Sequence, residues 1–408
     1  MLFIMMVGKE LQNFYDDMKT EAQSILAFWE KYAPDPNGGF YGLVDADFKP
    51  HPDAKKHIVL NARLIWTFAA AYKVLEKTSY MEMAKRARDY VMEYFIDKEF
   101  RGAFWELNPD GTIYDPTKRT YGEAFTIYGL AEYNDIFKDE TVLQQAINVY
   151  ERLENYAYDN RNEGYYEALT RDWKFSRQTQ VSDINPYKAV VKTMNTHLHV
   201  LEAYTTLYKI WPNLGLKDRL YQLVEIMINK IINHNTWHFN LFFDEQWNSI
   251  DSVVSYGHDI EGSWLLWEAA EALGDDKLKA RIEPISVNMA EAVFKEGWHE
   301  NGGIVNEVSS EGIIDSHRVW WVQAEAVVGF FNAWQLTKEP KYLDAAKRVW
   351  VFINRELIDH TNGGWFPFAL SDEKKVNRVD GWTCPYHNVR MCLEIMRRVE
   401  GIQDGRSE

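Results

Sequence analysis

The sequence predicts an all-α fold, an (α/α)6 barrel of six inner and six outer helices with short β-hairpins in the loops at its mouth. Three observations support this prediction. A glycine-aromatic cluster recurs along the 408 residues, helical segments of two kinds alternate between the clusters, and no stretch rich in Pro, Ser or Gly divides the chain. We therefore expect a single domain over residues 1–408.

The clusters define the repeat. Neighbouring clusters lie about sixty to seventy-five residues apart, and a fixed long period is the sequence signature of a repeat architecture. Five copies are clear and the fourth lacks glycine. The six clusters are Gly38–Tyr41, Gly102–Trp105, Gly164–Tyr166, Phe239–Phe243, Gly302–Gly303 and Gly363–Phe366.

One kind of helical segment is rich in apolar and small residues on nearly every side. Such a helix must be buried, which assigns these segments to an inner ring. Apolar residues recur at intervals of three and four, as in Leu60, Leu64, Ile65 and Phe68. The predicted inner helices span roughly residues 58–76, 121–137, 189–211, 258–273, 318–337 and 385–400.

The other kind carries more charge, as in Met83–Arg88, and is predicted to form the outer ring. An open helical solenoid is the alternative, but six pairs with the first helix completing the last pair favour closure. The predicted outer helices span roughly residues 10–32, 79–96, 139–157, 216–234, 276–295 and 340–358.

Charge and composition limit the partners. A net charge of −16 argues against nucleic acid and anionic membranes, because both select for clustered Lys and Arg. The apolar run at residues 1–6 is too short for a signal peptide or a membrane span, and two cysteines cannot form a disulfide framework. We expect a cytoplasmic protein, a monomer with a dimer as the alternative, that binds a small molecule.

Aromatic residues make up 15% of the chain, including 16 Trp and 23 Tyr. Large aromatic side chains supply core volume. Trp and Tyr also stack on the C–H faces of sugar rings while their N–H and O–H groups bind hydroxyls. Composition alone leaves both roles open.

Unusual polar residues fall near the starts of the predicted inner helices. Because consecutive inner helices run parallel, their N-terminal ends should meet at one mouth, and these side chains should converge there. The residues concerned are Asn61 and Arg63, Tyr121 and Glu123, Asn195 and His199, His258 and Glu261, Trp320, Trp321 and Glu325, and His387, Asn388 and Arg390.

Three histidines stand out in this set. A lone histidine at a helix start is usually a capping or surface residue, but His199, His258 and His387 occupy equivalent places in different repeats. His197 faces elsewhere and is predicted to pack or support. The pairing of His258 with Glu261 resembles half of a carboxylate-bridged metal site, yet the chain has no H-E-x-x-H and no thiolate cluster, so we expect no metal.

Two further residue types have competing interpretations. Arg63 sits in an apolar helix, where an unpaired guanidinium is costly, so it needs an anionic partner, which an intermediate of the reaction could supply. Trp320 and Trp321 point about 100° apart on a helix, so both could be core residues, or one of the two could line the mouth. Glu261 and Glu325 are buried acids that can fix the tautomer of a histidine.

Four strings in order resemble the N-acylglucosamine 2-epimerase superfamily, and within it the members that act on disaccharides. The resemblance covers essentially the whole chain. The strings are Met194–Ala203, Gly257–Glu261, Trp320–Glu325 and Trp382–Asn388.

The resemblance implies a cofactor-free inversion at C2 of the reducing-end sugar in β-1,4-linked disaccharides such as cellobiose and lactose. It assigns His258 and His387 as the paired acid/base groups and Arg63 as the group that stabilises an enediolate. His199, Glu261, Tyr121 and Asn195 become the polar shell of the reacting sugar. Substrate-binding positions are Trp320, Trp321, Glu325, Trp382, which lies under the second sugar, and Asp183 in Asp183–Asn185.

Histidine suits this chemistry because its ordinary pKa near 6.5 lets both protonation states occur close to neutral pH. Other outcomes stay open. A superfamily member acting on N-acetylglucosamine, or one isomerising mannose to fructose, would use the same intermediate. An inverting glycoside hydrolase would need two carboxyl groups across the scissile bond, and a non-catalytic helical scaffold would lack converging histidines.

Overall fold

A computed structural model describes residues 2–180, 189–250, 252–309, 311–372 and 376–405. Twelve α-helices lie in these ranges, and α3, α5 and α7 each end in a single π-helical turn. The helices are α1 Leu2–Tyr32, α2 Ile58–Leu75, α3 Thr78–Tyr90, α4 Thr120–Phe137, α5 Glu140–Arg152, α6 Met194–Ile210, α7 Leu214–Ile226, α8 Tyr256–Leu273, α9 Asp276–Glu296, α10 Trp320–Thr337, α11 Pro340–Glu356 and α12 Tyr386–Gln403.

The even-numbered helices form a closed inner ring. Each of α2, α4, α6, α8 and α10 packs against the next, and α12 closes the ring by contacting α2. The odd-numbered helices lie outside and pack on the inner ring, with α1 on α12 and with α7 and α9 each contacting two inner helices. The (α/α)6 barrel predicted from the repeat is therefore confirmed, including the pairing of the N-terminal helix with the last inner helix.

Helix α2 is the one described helix that is long and apolar enough to span a membrane. However, 78% of its residues are buried inside the protein. Its apolar character follows from its place in the inner ring, where protein surrounds it on every side.

Two helix boundaries differ from the prediction. Helix α6 begins at Met194 rather than near residue 189, because Lys192 and Thr193 form a strand. Helix α1 begins at Leu2 rather than near residue 10. In the first case a strand pairing with a distant loop overrides local helix propensity, which sequence periodicity cannot register.

Short antiparallel strands join the loops at the mouth. Two pairs, β2–β3 and β9–β10, are hairpins as predicted, whereas β1–β2, β4–β5, β6–β7 and β8–β9 tie the strand before one inner helix to the next cluster loop. The strands are β1 Lys56–His57, β2 Glu106–Leu107, β3 Ile113–Asp115, β4 Lys118–Arg119, β5 Ala168–Leu169, β6 Lys192–Thr193, β7 Phe242–Phe243, β8 Val254–Ser255, β9 Glu307–Ser309 and β10 Gly312–Asp315.

The fourth residue of an inner helix fixes the cluster loop in four of the repeats. The backbone N–H of Ala103 donates to Glu123 at 2.9 Å, and that of Tyr165 donates to Nε2 of His197 at 2.8 Å. The N–H groups of Phe239 and Ile304 donate in the same way to Asp259 and Gln323, at 2.8 and 2.7 Å. His197 is thus a structural anchor, consistent with the packing role expected for it.

This anchor explains two of the cluster glycines, Gly102 and Gly164. Gly164 has φ of +76°, and a Cβ built there would lie 2.6 Å from Nε2 of His197 and 2.4 Å from the Trp247 ring. No side chain fits between the loop and its anchor. The fourth cluster needs only one left-handed residue, Trp237 with φ of +65°, which is why it manages without glycine.

Buried lysines tie three of the cluster turns to the strand before the next inner helix. Lys56 binds Asp35, Lys118 binds Asp97 and Lys192 binds Asp159, with N–O distances of 2.6, 3.1 and 2.8 Å. Each aspartate also accepts backbone N–H bonds within its own turn. Because every partner is almost fully buried, these pairs hold the mouth loops against the barrel.

We predict that Lys56→Met lowers the free energy of unfolding by about 3 kcal/mol, because it leaves Asp35 charged and buried. Lys77→Met is the matched control, since Lys77 binds Glu30 on the surface and is 52% exposed. That control should cost under about 1 kcal/mol. Urea denaturation of both variants measures the difference, and equal losses would contradict a stabilising role for the buried pair.

Candidate active site

A cleft of about 410 Å³ opens at the mouth, at the N-terminal ends of the inner helices. Glu325 stands behind its wall in contact with His387, and Asp183 lies outside the described residues. The other ten predicted site residues line the cleft: Arg63, Tyr121, Asn195, His199, His258, Glu261, Trp320, Trp321, Trp382 and His387. The expected convergence is therefore observed, and both Trp320 and Trp321 reach the cleft.

His258 lies in the first turn of α8, with its ring 4.7 Å from that of Trp321. Its Nδ1 is 2.8 Å from Oγ of Ser255, the residue preceding the helix. Burial, reinforced by His199, lowers the pKa of His258 to about 3. The imidazole is therefore neutral near pH 7, and Ser255 fixes its orientation.

His387 lies in the first turn of α12 and is 5% exposed. Its Nδ1 is 2.7 Å from Oε1 of Glu325 and 3.9 Å from Oε1 of Glu261. Burial and the nearby Arg63 hold the pKa of His387 well below its usual value. A neutral ring donating from Nδ1 to Glu325 presents Nε2 as a base, and the same carboxylate would stabilise the ring once protonated.

The three histidines do not occupy equivalent helix positions, contrary to the interpretation from sequence. His387 is the second residue of α12, His258 the third of α8 and His199 the sixth of α6. They still line one cleft, because all three lie near the N-terminal ends of their inner helices. The strand residues that set where each helix begins are not apparent from periodicity.

Arg390 on α12 is the centre of a buried charge cluster. One of its nitrogens, Nη2, lies 2.5 Å from Oε1 of Glu261 and 2.7 Å from Oε1 of Glu325. The other, Nη1, donates to Glu202. One guanidinium thereby joins acids from α6, α8 and α10 to α12.

His199 belongs to this cluster through Glu202. Its Nδ1 is 2.9 Å from Oε2 of Glu202, whose other oxygen accepts from Arg390 and from the hydroxyl of Tyr386. The ring of His199 packs 5.1 Å from that of Tyr121. Burial lowers the pKa of His199 although Glu202 opposes the change, so His199 is held neutral in a fixed orientation.

The acids of the cluster carry different charges. Although burial favours the neutral acid, Arg390 and His199 lower the pKa of Glu202 to about 2. Burial and the neighbouring Glu325 instead raise the pKa of Glu261 well above its usual value. The ionised form of Glu202 and the protonated form of Glu261 are therefore favoured, which limits the negative charge around the Arg390 guanidinium.

Arg63 has a different environment. Its Nη2 donates to the hydroxyl of Tyr121 at 2.8 Å, and its guanidinium lies 4.2 Å from the centre of the Phe125 ring and 4.9 Å from that of Tyr386. It has no carboxylate partner among the described residues. Its Nε also lacks a hydrogen-bond acceptor within them. Arg63 is thus a buried cation whose charge is available to the cleft.

The rest of the cleft wall is amphipathic. Trp382 packs 5.9 Å from the ring of Tyr121 and 5.4 Å from that of His57. Oδ1 of Asn195 and Nε1 of Trp320 have no hydrogen-bond partner in the described part of the chain. Aromatic faces beside unsatisfied donors and acceptors suit a ligand with apolar C–H faces and many hydroxyl groups.

Three residues that orient the histidines were given no role in the sequence analysis: Glu202, Ser255 and Arg390. Of these, only Arg390 was noted there, as one of the polar residues at the start of an inner helix. The spacing of His199 and Glu202, three residues apart on a helix, was a usable signal. Ser255 is a serine directly before a helix, which usually indicates a cap, and its contact with His258 depends on rotamers.

Glu261, Glu325 and His387 lie close enough together to hold a metal ion, with ligand atoms within 4.8 Å of one another. However, the Arg390 guanidinium already binds the carboxyl groups of both glutamates. A cation at that point would face a fixed positive charge. The carboxylate oxygens are thus committed to holding Arg390.

We predict that two isosteric variants lower the free energy of unfolding at pH 7 by different amounts. Ionised Glu202 stabilises the fold above about pH 4.5, and this contribution is lost as the pH falls toward about 2. For Glu261, whose pKa is raised, stability instead decreases as the pH rises above its unfolded value. Glu202→Gln should therefore cost roughly 3 kcal/mol, whereas Glu261→Gln should cost under about 1 kcal/mol.

Urea titrations of both variants at pH 7 measure these costs. Glu151→Gln is the control, because Glu151 is exposed on α5 and should leave the stability unchanged. Losses of the same size for the two buried glutamates would contradict the assigned charges.

Known proteins resemble the chain over nearly its full length. A cellobiose 2-epimerase of Bacteroides fragilis is 42% identical over 378 residues, covering 91% of this chain and 95% of the relative. One from Dictyoglomus turgidum is 37% identical, covering 92% and 96%. The structure of a cellobiose 2-epimerase from Bacillus thermoamylovorans superimposes with a TM-score of 0.90 at 35% identity, covering 95% of this chain and all of that one.

The profile of the N-acylglucosamine 2-epimerase (GlcNAc 2-epimerase) family matches residues 38–390. That range runs from the first glycine cluster to Arg390 and contains every predicted site residue. The match agrees with the four sequence strings, the closed double ring of helices and the cleft at its mouth. The chain belongs to the N-acylglucosamine 2-epimerase family.

Proposed function

We propose that this sugar epimerase interconverts the glucose and mannose configurations at C2 of the reducing-end sugar in β-1,4-linked disaccharides, with cellobiose as the primary substrate and lactose as a further one. It does so without a cofactor, in the cytoplasm. The observation that supports this most is that His258 and His387 lie on separate helices and face one cleft. Both have a lowered pKa and are therefore neutral when no substrate is bound. Arg63, a buried cation, lines the same cleft.

The reaction begins with opening of the hemiacetal, which exposes an aldehyde at C1 and makes the C2 proton acidic. One histidine removes that proton, and the C–H electron pair moves into the C1–C2 bond to give a cis-enediolate. The other histidine, protonated by exchange with solvent, then protonates C2 on the opposite face to give the epimer, and the first histidine releases its proton to solvent. Two bases on opposite sides of the sugar are therefore required.

Arg63 and Glu325 supply the electrostatics of this sequence. The enediolate is anionic, and Arg63 offers fixed positive charge with no competing carboxylate among the described residues. The histidine that returns the proton must be an imidazolium. Glu325, at 2.7 Å from Nδ1 of His387, is placed to stabilise that form.

Two alternatives fit less well. An inverting hydrolase needs carboxyl groups roughly 6.5–9.5 Å apart with water between them. Here Glu261 and Glu325 have oxygens within 4.8 Å, and both bind Arg390. Aldose–ketose isomerisation would use the same intermediate, with the proton returned to C1. The aromatic wall at Trp382 and relatives named cellobiose 2-epimerases favour a disaccharide and proton return at C2.

Incubation in D2O with cellobiose, lactose, mannose and N-acetylglucosamine tests the proposal. We expect the C2 epimer of cellobiose with deuterium at C2, detected by NMR, because the returned proton comes from a group that exchanges with solvent. Release of glucose would support hydrolysis instead, and a ketose as the main product would support isomerisation.

We predict that His258→Ala and His387→Ala each lower the epimerisation rate by about 10²- to 10⁴-fold, the usual contribution of a positioned acid or base. Each variant keeps one base, so it should still exchange the C2 proton of one epimer but not of the other. His360→Ala is the control, because His360 is exposed and outside the cleft. Full activity in either alanine variant, or the same exchange pattern in both, would refute the two-base mechanism.

A further inference from the structure

Asn306 and Asp315 line the same cleft, although the sequence drew attention to neither. Nδ2 of Asn306 donates to Oδ2 of Asp315 at 2.8 Å. Oδ1 of Asn306 accepts no hydrogen bond from the described residues. The cleft wall thus contains an amide whose donor is occupied and whose acceptor is unused.

The charge of Asp315 fixes which way this amide faces. Although burial opposes ionisation, hydrogen bonds from the His317 backbone and from Asn306 lower the pKa of Asp315. An ionised carboxylate only accepts hydrogen bonds, so Asn306 must turn its NH2 group toward it. Its carbonyl oxygen is left to receive a donor from elsewhere.

Strand pairing and a β-bulge position Asn306 and Asp315 at the cleft. Asn306 directly precedes β9, which pairs with β8, so that Glu307 lies opposite Ser255, the residue that orients His258. The β9–β10 ladder has a register shift between Ile313 and Asp315, and consecutive Ile313 and Ile314 are both exposed. A bulge of this kind redirects the following side chain, here Asp315, toward the cleft.

Asn306 and Asp315 lie in a different part of the cleft wall from His258 and His387. His258 and His387 lie in the first turns of inner helices, where the reacting ring must sit, whereas Asn306 and Asp315 lie on the hairpin at the mouth. With the reducing end between the histidines, the other ring of a disaccharide would lie toward this hairpin, which forms part of the cleft wall.

We infer that Asn306 is a specificity-determining residue that accepts a hydrogen bond from a hydroxyl of the non-reacting sugar ring, and that Asp315 is its positioning residue. The inference rests on the proposed disaccharide activity. It assigns to the β9–β10 hairpin the recognition of the second ring, on the side of the mouth formed before α10. Trp382, in the loop before α12, contributes an aromatic face to the same cleft.

Asn306→Leu tests the assignment, because leucine keeps the approximate shape and removes the acceptor. We expect KM for cellobiose to rise about three- to tenfold, the effect of one neutral hydrogen bond, with kcat within about twofold. The inhibition constant of glucose as a competitor should be unchanged, since glucose lacks the second ring. Asn301→Leu, on an exposed residue of the preceding loop, is the matched control.

Asp315→Asn tests the positioning role. The new amide can donate, so Asn306 would turn over and present its NH2 group to the sugar. KM for cellobiose should rise by the same factor as in Asn306→Leu, and the double variant should show no further increase. The circular dichroism melting temperature of each variant shows that the fold is retained.

The outcomes separate this inference from the proposed function. If the unmodified enzyme does not epimerise cellobiose, the proposed function fails. If it does, an unchanged KM in Asn306→Leu, or an equal weakening of glucose inhibition, overturns the role of Asn306 in binding the second ring. Additive effects of the two substitutions overturn the positioning role of Asp315.

Discussion

The arrangement of the active site depends on the Arg390 guanidinium, which binds three buried glutamates from three other inner helices. Burying four ionisable groups is costly, and the cost is met only where each finds its partner. Since Glu202 also binds His199 and Glu325 also binds His387, the same cluster sets the orientation of two histidines. Closure of the barrel and the orientation of His199 and His387 therefore depend on the same cluster.

This arrangement separates two kinds of positive charge. Arg390 is surrounded by acids and acts as a structural cation. Arg63 is buried against Phe125 and Tyr386 with no carboxylate among the described residues, so its field acts on whatever occupies the cleft. Arg63 is left without an acidic partner there because the acidic side chains nearby, Glu202, Glu261 and Glu325, bind Arg390.

The repeat serves both structure and chemistry. In each of four inner helices the fourth residue holds a cluster loop, and residues close to it in the sequence face the cleft. In Gly257–Glu261, for example, Asp259 anchors Phe239 while His258 and Glu261 face the cleft. Neighbouring residues of one short string thus have unrelated physical roles.

The sequence by itself determined the repeat, the double ring and most of the residues at the mouth, because buried and exposed helices differ in composition and their polar starts are few. It did not determine the roles of Glu202, Ser255, Asn306 and Arg390, or that both Trp320 and Trp321 reach the cleft. Those properties depend on helix rotation, on strand pairs between distant loops and on side-chain rotamers. Each is decided by contacts between residues far apart in the chain, which only the tertiary structure brings together.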